Sequence, residues 1–168
     1  MSSVYRWPPL EVAGLKSKLE ALTGLVAVSP KELGQEDTTG ALARFLVVRS
    51  CGYLEQVASE VCRGYITGKS GGPVRAFARS WLGRHRNPTP ENLEELVGRF
   101  DAQLLDEFQY FLDEEDQRLR RELYFLVDRR NRIAHGLNEG IGSQKAAVLK
   151  EVACEVADWF ILRFNPNP

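Results

Sequence analysis

Histidine is the side chain whose ordinary pKa best suits proton transfer near neutrality, and the chain has only two of them in 168 residues. One, His135, ends the stretch Asp128-Arg129-Arg130-Asn131-Arg132-Ile133-Ala134-His135, which Gly136 follows. Arg130 brings a permanent charge on a planar fork that matches phosphate oxygens. Asn131 can orient an imidazole or a phosphate, and His135 can move a proton. Together they could hold an anion on the arginine and move a proton through the imidazole beside it. A second pair at similar spacing, Arg79 and His85, is set aside, because Asn87-Pro88 breaks the chain just beyond it and no long helix carries it.

Other chemistries lack their residues. There is no P-loop, no dinucleotide-binding glycine fingerprint and no nucleophile elbow in a strand-to-helix context. Cys51, Cys62 and Cys154 have no CxxC spacing, each falls in an apolar helical pattern, and with two histidines they form no zinc ligand set. No metal and no cofactor is expected.

The elements that must position these residues all read as helices. Leu10 to Leu25 is a modest first helix, and Pro30 stops it. Asp37 or Thr38 is a fitting N-cap for a long helix from about Thr39 to Ile66. One face of that helix carries Leu42, Phe45, Leu46, Leu54, Val57, Ala58 and Val61. A second face carries Val48, Cys51, Gly52, Glu55, Ser59 and Cys62, and two packing faces imply a central helix. Thr67 to Pro73 is a glycine- and proline-rich break, followed by a short helix over Val74 to Leu82. Thr89-Pro90-Glu91 opens the next helix with a cap, an N1 proline and an acidic first turn. It runs to Phe100, and a further helical turn or two carries Leu104 to Leu112.

From about Glu114 to Ala134, Leu119, Leu123, Leu126, Val127 and Ile133 recur at three and four residues, which predicts an amphipathic helix ending at Gly136. At 100° per residue Arg130 falls on the same stripe as Leu119, Leu123 and Leu126, so a guanidinium is expected where a core residue belongs. Ser143 is an N-cap candidate for a last helix over Ala146 to Phe164. The sum is an all-α bundle of five to seven helices in one domain spanning 1–168, with 1–36 as N-terminal helix and linker and 37–164 as helical core.

A formal charge of -1 gives no global basic field, so any nucleic-acid contact must be local. Arg118, Arg120, Arg121, Arg129, Arg130 and Arg132 crowd one segment directly after the acidic run Asp113 to Asp116. That crowd fits either a phosphate-facing surface or a helix face paired with the acidic run, as in a purely structural adaptor. No apolar run reaches the roughly 18 residues of a membrane helix, and Glu11, Lys16, Lys18 and Glu20 interrupt any signal peptide, so a cytoplasmic location away from membranes is expected.

An arginine, a polar residue and a histidine a few positions on, at the end of a long helix before a glycine and a final helix, resembles the signature of the HEPN ribonucleases. Arg130, Asn131 and His135 match it in type and spacing, and the all-helical layout covers most of the chain from about Thr39. The resemblance implies a metal-independent endoribonuclease of a toxin-antitoxin or antiviral defence system. It also implies a homodimer in which two signature segments face one composite site, and an antitoxin or other defence-system protein as partner. It further implies Glu55, on the long helix, as an acidic contributor, with Arg129 and Arg132 supporting. Leu137 stands where some toxins of the group carry a tyrosine, which leaves that route of antitoxin control without its residue. Two plainer readings stand beside it: His135 as a helix C-terminal residue facing the dipole, and Arg130 in a buried ion pair with Glu55. A non-catalytic module of the same shape that binds RNA or protein is the alternative function.

Overall fold

The computed structural model describes residues 6–28, 36–83, 86–137 and 140–167. These residues form six helices and, among the described residues, no strand: α1 (Leu10–Val28), α2 (Glu36–Lys69), α3 (Gly72–Ser80), α4 (Pro90–Gly98), α5 (Ala102–Ala134) and α6 (Ser143–Arg163). The all-α expectation holds. None of the helices is long and apolar enough to cross a membrane.

α2 is the central helix that its two faces require. It packs on α1, α3, α5 and α6, and Leu46, Val47, Leu54, Val57 and Val61 are fully buried along it. Phe45, expected on a packing face, is instead about half exposed at 52%, because the buried arc centres on Ala43, Leu46, Val47 and Ser50. Val48, Gly52, Glu55 and Ser59 are only partly buried, and of the second face Cys51 and Cys62 alone reach the core.

The glycine-rich break after α2 is shorter than the sequence suggests. Thr67 Oγ1 and Ser70 Oγ fold back onto the carbonyls of Arg63 and Ile66 at 2.8 and 2.6 Å, and the helix persists to Lys69. Gly68 has a packing reason inside it: a Cβ there would lie 2.7 Å from Cβ of Pro166, so the C-terminal tail can dock only against a glycine.

Thr89 caps α4 as expected, accepting from Asn92 N at 3.3 Å with Pro90 at the first turn. Asp101 caps α5 by accepting from Leu104 N at 2.8 Å. α6 is capped by Gly142 with no side-chain bond, and Ser143, expected as the cap, is its first helical residue. The two helical segments predicted over 104–112 and 114–134 form one path, α5, interrupted where Glu114 leaves helical geometry and Glu115, Asp116 and Gln117 take φ of 50°, 56° and 59°. Three successive non-glycine residues in the left-handed region carry strain.

The N-terminal half of α5 and the end of α6 meet in an aromatic cluster. Phe108 lies 4.5 Å from Trp159 and 5.5 Å from Phe160 between ring centroids, and Phe164 joins Tyr65 and Phe100 to it. The other half of α5 buries Leu119, Leu123, Leu126 and Val127, which fixes the rotation of the turn that follows them.

Candidate functional site

The last turn of α5 is closed by a Schellman arrangement. Gly136 N donates to Ile133 O and Leu137 N to Arg132 O, each at 3.0 Å, and Gly136 sits at φ 74°. His135 is the C-cap, its backbone N–H bonded to Asn131 O at 3.0 Å. The glycine therefore sets where the chain leaves the helix, directly beside the imidazole.

Arg130 is half-buried at the end of the stripe that Leu119, Leu123 and Leu126 bury. Its expected place in the middle of a buried stripe is corrected: the helix emerges from the core one turn after Leu126. Arg130 Nη1 donates to Asn131 Oδ1 at 3.0 Å, and Asn87 Nδ2 donates to the same oxygen at 3.4 Å. On α2, Cys51 is wholly buried close by. Burial pushes its thiol up to about 12, against the pull of the Arg130 charge and with the push of the Glu55 carboxylate. The buried Arg130–Glu55 ion pair does not form, and Arg130 makes no carboxylate contact among the described residues.

His135 is exposed, and its imidazole makes no hydrogen bond or ion pair with a described residue. Within one chain Arg130 and His135 are thus not joined, although Asn131 bonds both, to Arg130 by its side chain and to His135 by its backbone. Of the supporting residues, Arg129 stacks its guanidinium over Phe125 at 4.7 Å, and Lys145 meets the same ring at 4.8 Å. Arg132 pairs with Asp128 at 3.2 Å in solvent. Glu55 is partly buried and lines a cleft described below. His85, of the rejected pair, lies outside the described residues.

The arginines nearer the acidic run are carboxylate-paired. Arg118 meets Glu115 at 2.7 Å and Glu155 at 2.9 Å, Arg120 meets Asp113 at 2.6 Å and Glu94 at 2.7 Å, and Arg121 meets Asp116 at 3.2 Å. The paired-helix reading therefore describes Arg118, Arg120 and Arg121, and leaves Arg130 as a cation turned to an amide.

A cleft of about 520 Å³ opens between α2, the end of α3 and α4. Ala58, Leu93 and Leu96 contribute apolar surface, and Glu55, Ser59, Asn87 and Asn92 contribute polar groups. Asn92 Nδ2 donates to Asn87 O at 2.8 Å, which holds the Asn87 backbone while its amide reaches Asn131. Arg86 and Arg99 both bond Glu95, at 2.7 and 2.5 Å. The Arg99 hydrogen bond and then the Arg86 charge hold the Glu95 carboxyl below its usual range. Motif reading around His135 missed this wall. The signal that could have found it is compositional: from Val61 to Pro90 there is no Asp or Glu, with six Lys or Arg.

No group of three or more His, Cys, Asp and Glu among the described residues is arranged to hold a metal ion. Compared with known proteins, the chain matches no family model, no curated protein and no solved structure.

Proposed function

We propose that the chain is a HEPN-like, metal-independent endoribonuclease that works as a homodimer, with Arg130, Asn131 and His135 of two chains around one RNA phosphodiester, in a toxin-antitoxin or antiviral defence setting. The observation that carries the reading is the pairing pattern of the arginines. Arg118, Arg120 and Arg121 are neutralised by carboxylates, whereas Arg130 is held by the Asn131 carbonyl with its charge uncompensated by any described residue. A fixed cation on a fixed tether, one residue from an amide and five from an exposed imidazole, is the set that such a reaction uses.

In the proposed step the 2′-hydroxyl loses its proton to one imidazole and its oxygen attacks phosphorus. The phosphorus to 5′-oxygen bond breaks, and a second imidazole protonates the departing oxygen, leaving a 2′,3′-cyclic phosphate and a 5′-hydroxyl. Arg130 meets the doubly charged phosphorane with two parallel N–H donors, and Asn131 keeps that fork from swinging into solvent. The step uses two imidazoles and each chain brings one His135, so the proposed set is shared between two chains.

The test is incubation of purified protein with mixed RNA in EDTA. Cleavage to cyclic-phosphate ends that persists without metal and is lost in folded Arg130→Ala and His135→Ala variants is expected. Equal cleavage by either variant and the parent protein removes the assignment.

A further inference from the structure

α3 is at odds with the rest of the molecule. It buries none of its residues and touches no helix but α2. Val74, Phe77 and Trp81, at i, i+3 and i+7, form one apolar stripe exposed to 67, 65 and 59%. Arg75 and Arg79, four apart, share a different face; Arg75 Nε donates to Ser70 O at 2.9 Å, which leaves Arg79 as the outer cation. An exposed apolar stripe on a cationic, acid-free segment is a surface that expects an anionic partner with flat apolar parts.

The stripe runs into the cleft, because Trp81 is on both. Arg99 Nη1 donates to Trp81 O at 3.0 Å, which ties the end of α3 to α4 and keeps the indole at the rim. Phe77 and Trp81 stand edge to face with centroids 5.9 Å apart. The cleft volume falls within the roughly 300–1,000 Å³ of small-ligand sites; its floor is apolar, Glu95 in its wall is neutralised by Arg86 and Arg99, and the Glu55 carboxylate and the Asn87 and Asn92 amides supply acceptors for the exocyclic amino group of a heteroaromatic base. Lys69 and Arg79 make no ion pair with a described residue, so their charge is available to phosphates. An apolar protein segment would cover Val74, Phe77 and Trp81 but make no use of the charge on Lys69 and Arg79, and a lipid surface would leave the concave cleft beside Trp81 unfilled.

We infer that this cleft is a subsite for one unpaired nucleotide of single-stranded RNA: its base stacks on Trp81, its backbone follows the cationic face of α3, and Asn87 couples it to Asn131 and Arg130. The inference rests on the RNA reading above and adds to it the place where one base of the substrate sits. It also makes Asn87 a positioning residue that acts through Asn131.

The test uses a fluorescein-labelled, fully 2′-O-methylated octanucleotide, which lacks the nucleophile and reports binding alone. Anisotropy titration of the full chain is expected to show saturable binding that a matched duplex does not reproduce. Trp81→Leu keeps the site apolar but removes the stacking surface, and should weaken binding about 5- to 100-fold; the side chain is exposed, so the fold is retained. Asn87→Ala should lower kcat on unmodified RNA more than it raises KM. Unchanged binding by Trp81→Leu overturns the inference, as does a tryptophan emission shift, absent from Trp81→Leu, caused by phosphatidylserine vesicles with no response to the oligonucleotide. Binding that depends on Trp81 with no cleavage of unmodified RNA leaves the subsite standing and removes the ribonuclease reading.

Discussion

Asn87 on the cleft wall and Asn131 on α5 lie 44 residues apart, and the amide of the first reaches the side-chain oxygen of the second at 3.4 Å. That oxygen is also the acceptor for Arg130. Asn131 therefore sits between a cavity able to take a ligand and a cation able to take a phosphate, and its substitution should separate function from folding. Asn131→Ala removes two partly exposed hydrogen bonds, one of them charge-assisted, and should cost about 1 kcal/mol in a urea denaturation. Its effect on RNA cleavage should exceed tenfold, and Asn131→Asp, which turns the tether into a counter-ion for Arg130, should be at least as inactive while more stable. Parent-level cleavage by Asn131→Asp would show that the Arg130 charge is not what the substrate meets.

Gly136 supplies the second separation. Its φ of 74° lies where an L side chain is strained, yet a Cβ there would touch nothing within 4 Å. The penalty of Gly136→Ala is thus conformational alone, about 1 kcal/mol, and it falls on the turn that follows His135. A stability lower by that amount, together with lost activity, is expected; urea denaturation and cleavage rates on one preparation measure both. A stabilised variant would mean that the Schellman turn is not formed.

The order of the helices was legible because Leu119, Leu123 and Leu126 keep a helical interval and because Thr89-Pro90 is a cap that needs no tertiary partner. Arg130, Asn131 and His135 were legible as types at a spacing. What they touch was not. Asn87 reaches Asn131 only because α4 and α5 pack together, and no local pattern encodes a contact across 44 residues. Phe45 was misplaced for the same reason: two apolar arcs on α2 compete, and packing against α6 and α1 chooses the one centred on Ala43 and Leu46. The acidic run could be seen to have arginine partners nearby, but its backbone turn through positive φ has no glycine to announce it.

That turn yields a stability prediction. Gln117 is exposed at φ 59° and ψ 31°, a conformation that is costly for a residue with a Cβ. Gln117→Gly should raise stability by about 0.5–1 kcal/mol, the relief of strain exceeding the extra freedom of glycine in the unfolded chain. An equal or lower urea midpoint would place the strain elsewhere.

Alkaline pH should act through buried thiols. Burial raises Cys51 from 9.0 to about 12 and raises Cys62 and Cys154 as well. A raised folded pKa means that the unfolded chain releases its protons first. The stability from these neutral thiols is whole below pH 9 and is lost as pH climbs towards 12. Above pH 9 the loss approaches about 1 kcal/mol per pH unit for each such thiol, and urea midpoints at pH 7, 9 and 10 should show it. Replacement of Cys51 by serine should remove part of the alkaline slope, and an unaltered slope would assign it to other groups.

The arrangement of Arg130 and His135 also makes a prediction about chain number. In one chain the imidazole is exposed and makes no hydrogen bond or ion pair with a described residue, and the proposed step uses two imidazoles at one phosphodiester, one from each protomer. A dimer of the parent chain with an Arg130→Ala/His135→Ala double variant then keeps one imidazole and loses its acid or its base. When parent protein is unfolded and refolded with an equal amount of the double variant, half the dimers are mixed and a quarter are parent dimers, so activity should fall to about half that of the same amount of parent protein refolded alone. A site built within each chain would keep its full activity, because every parent protomer is still complete. Measured by cyclic-phosphate formation, a fall to about half supports the shared site, and full parent activity in a mixture shown to have exchanged subunits rules it out.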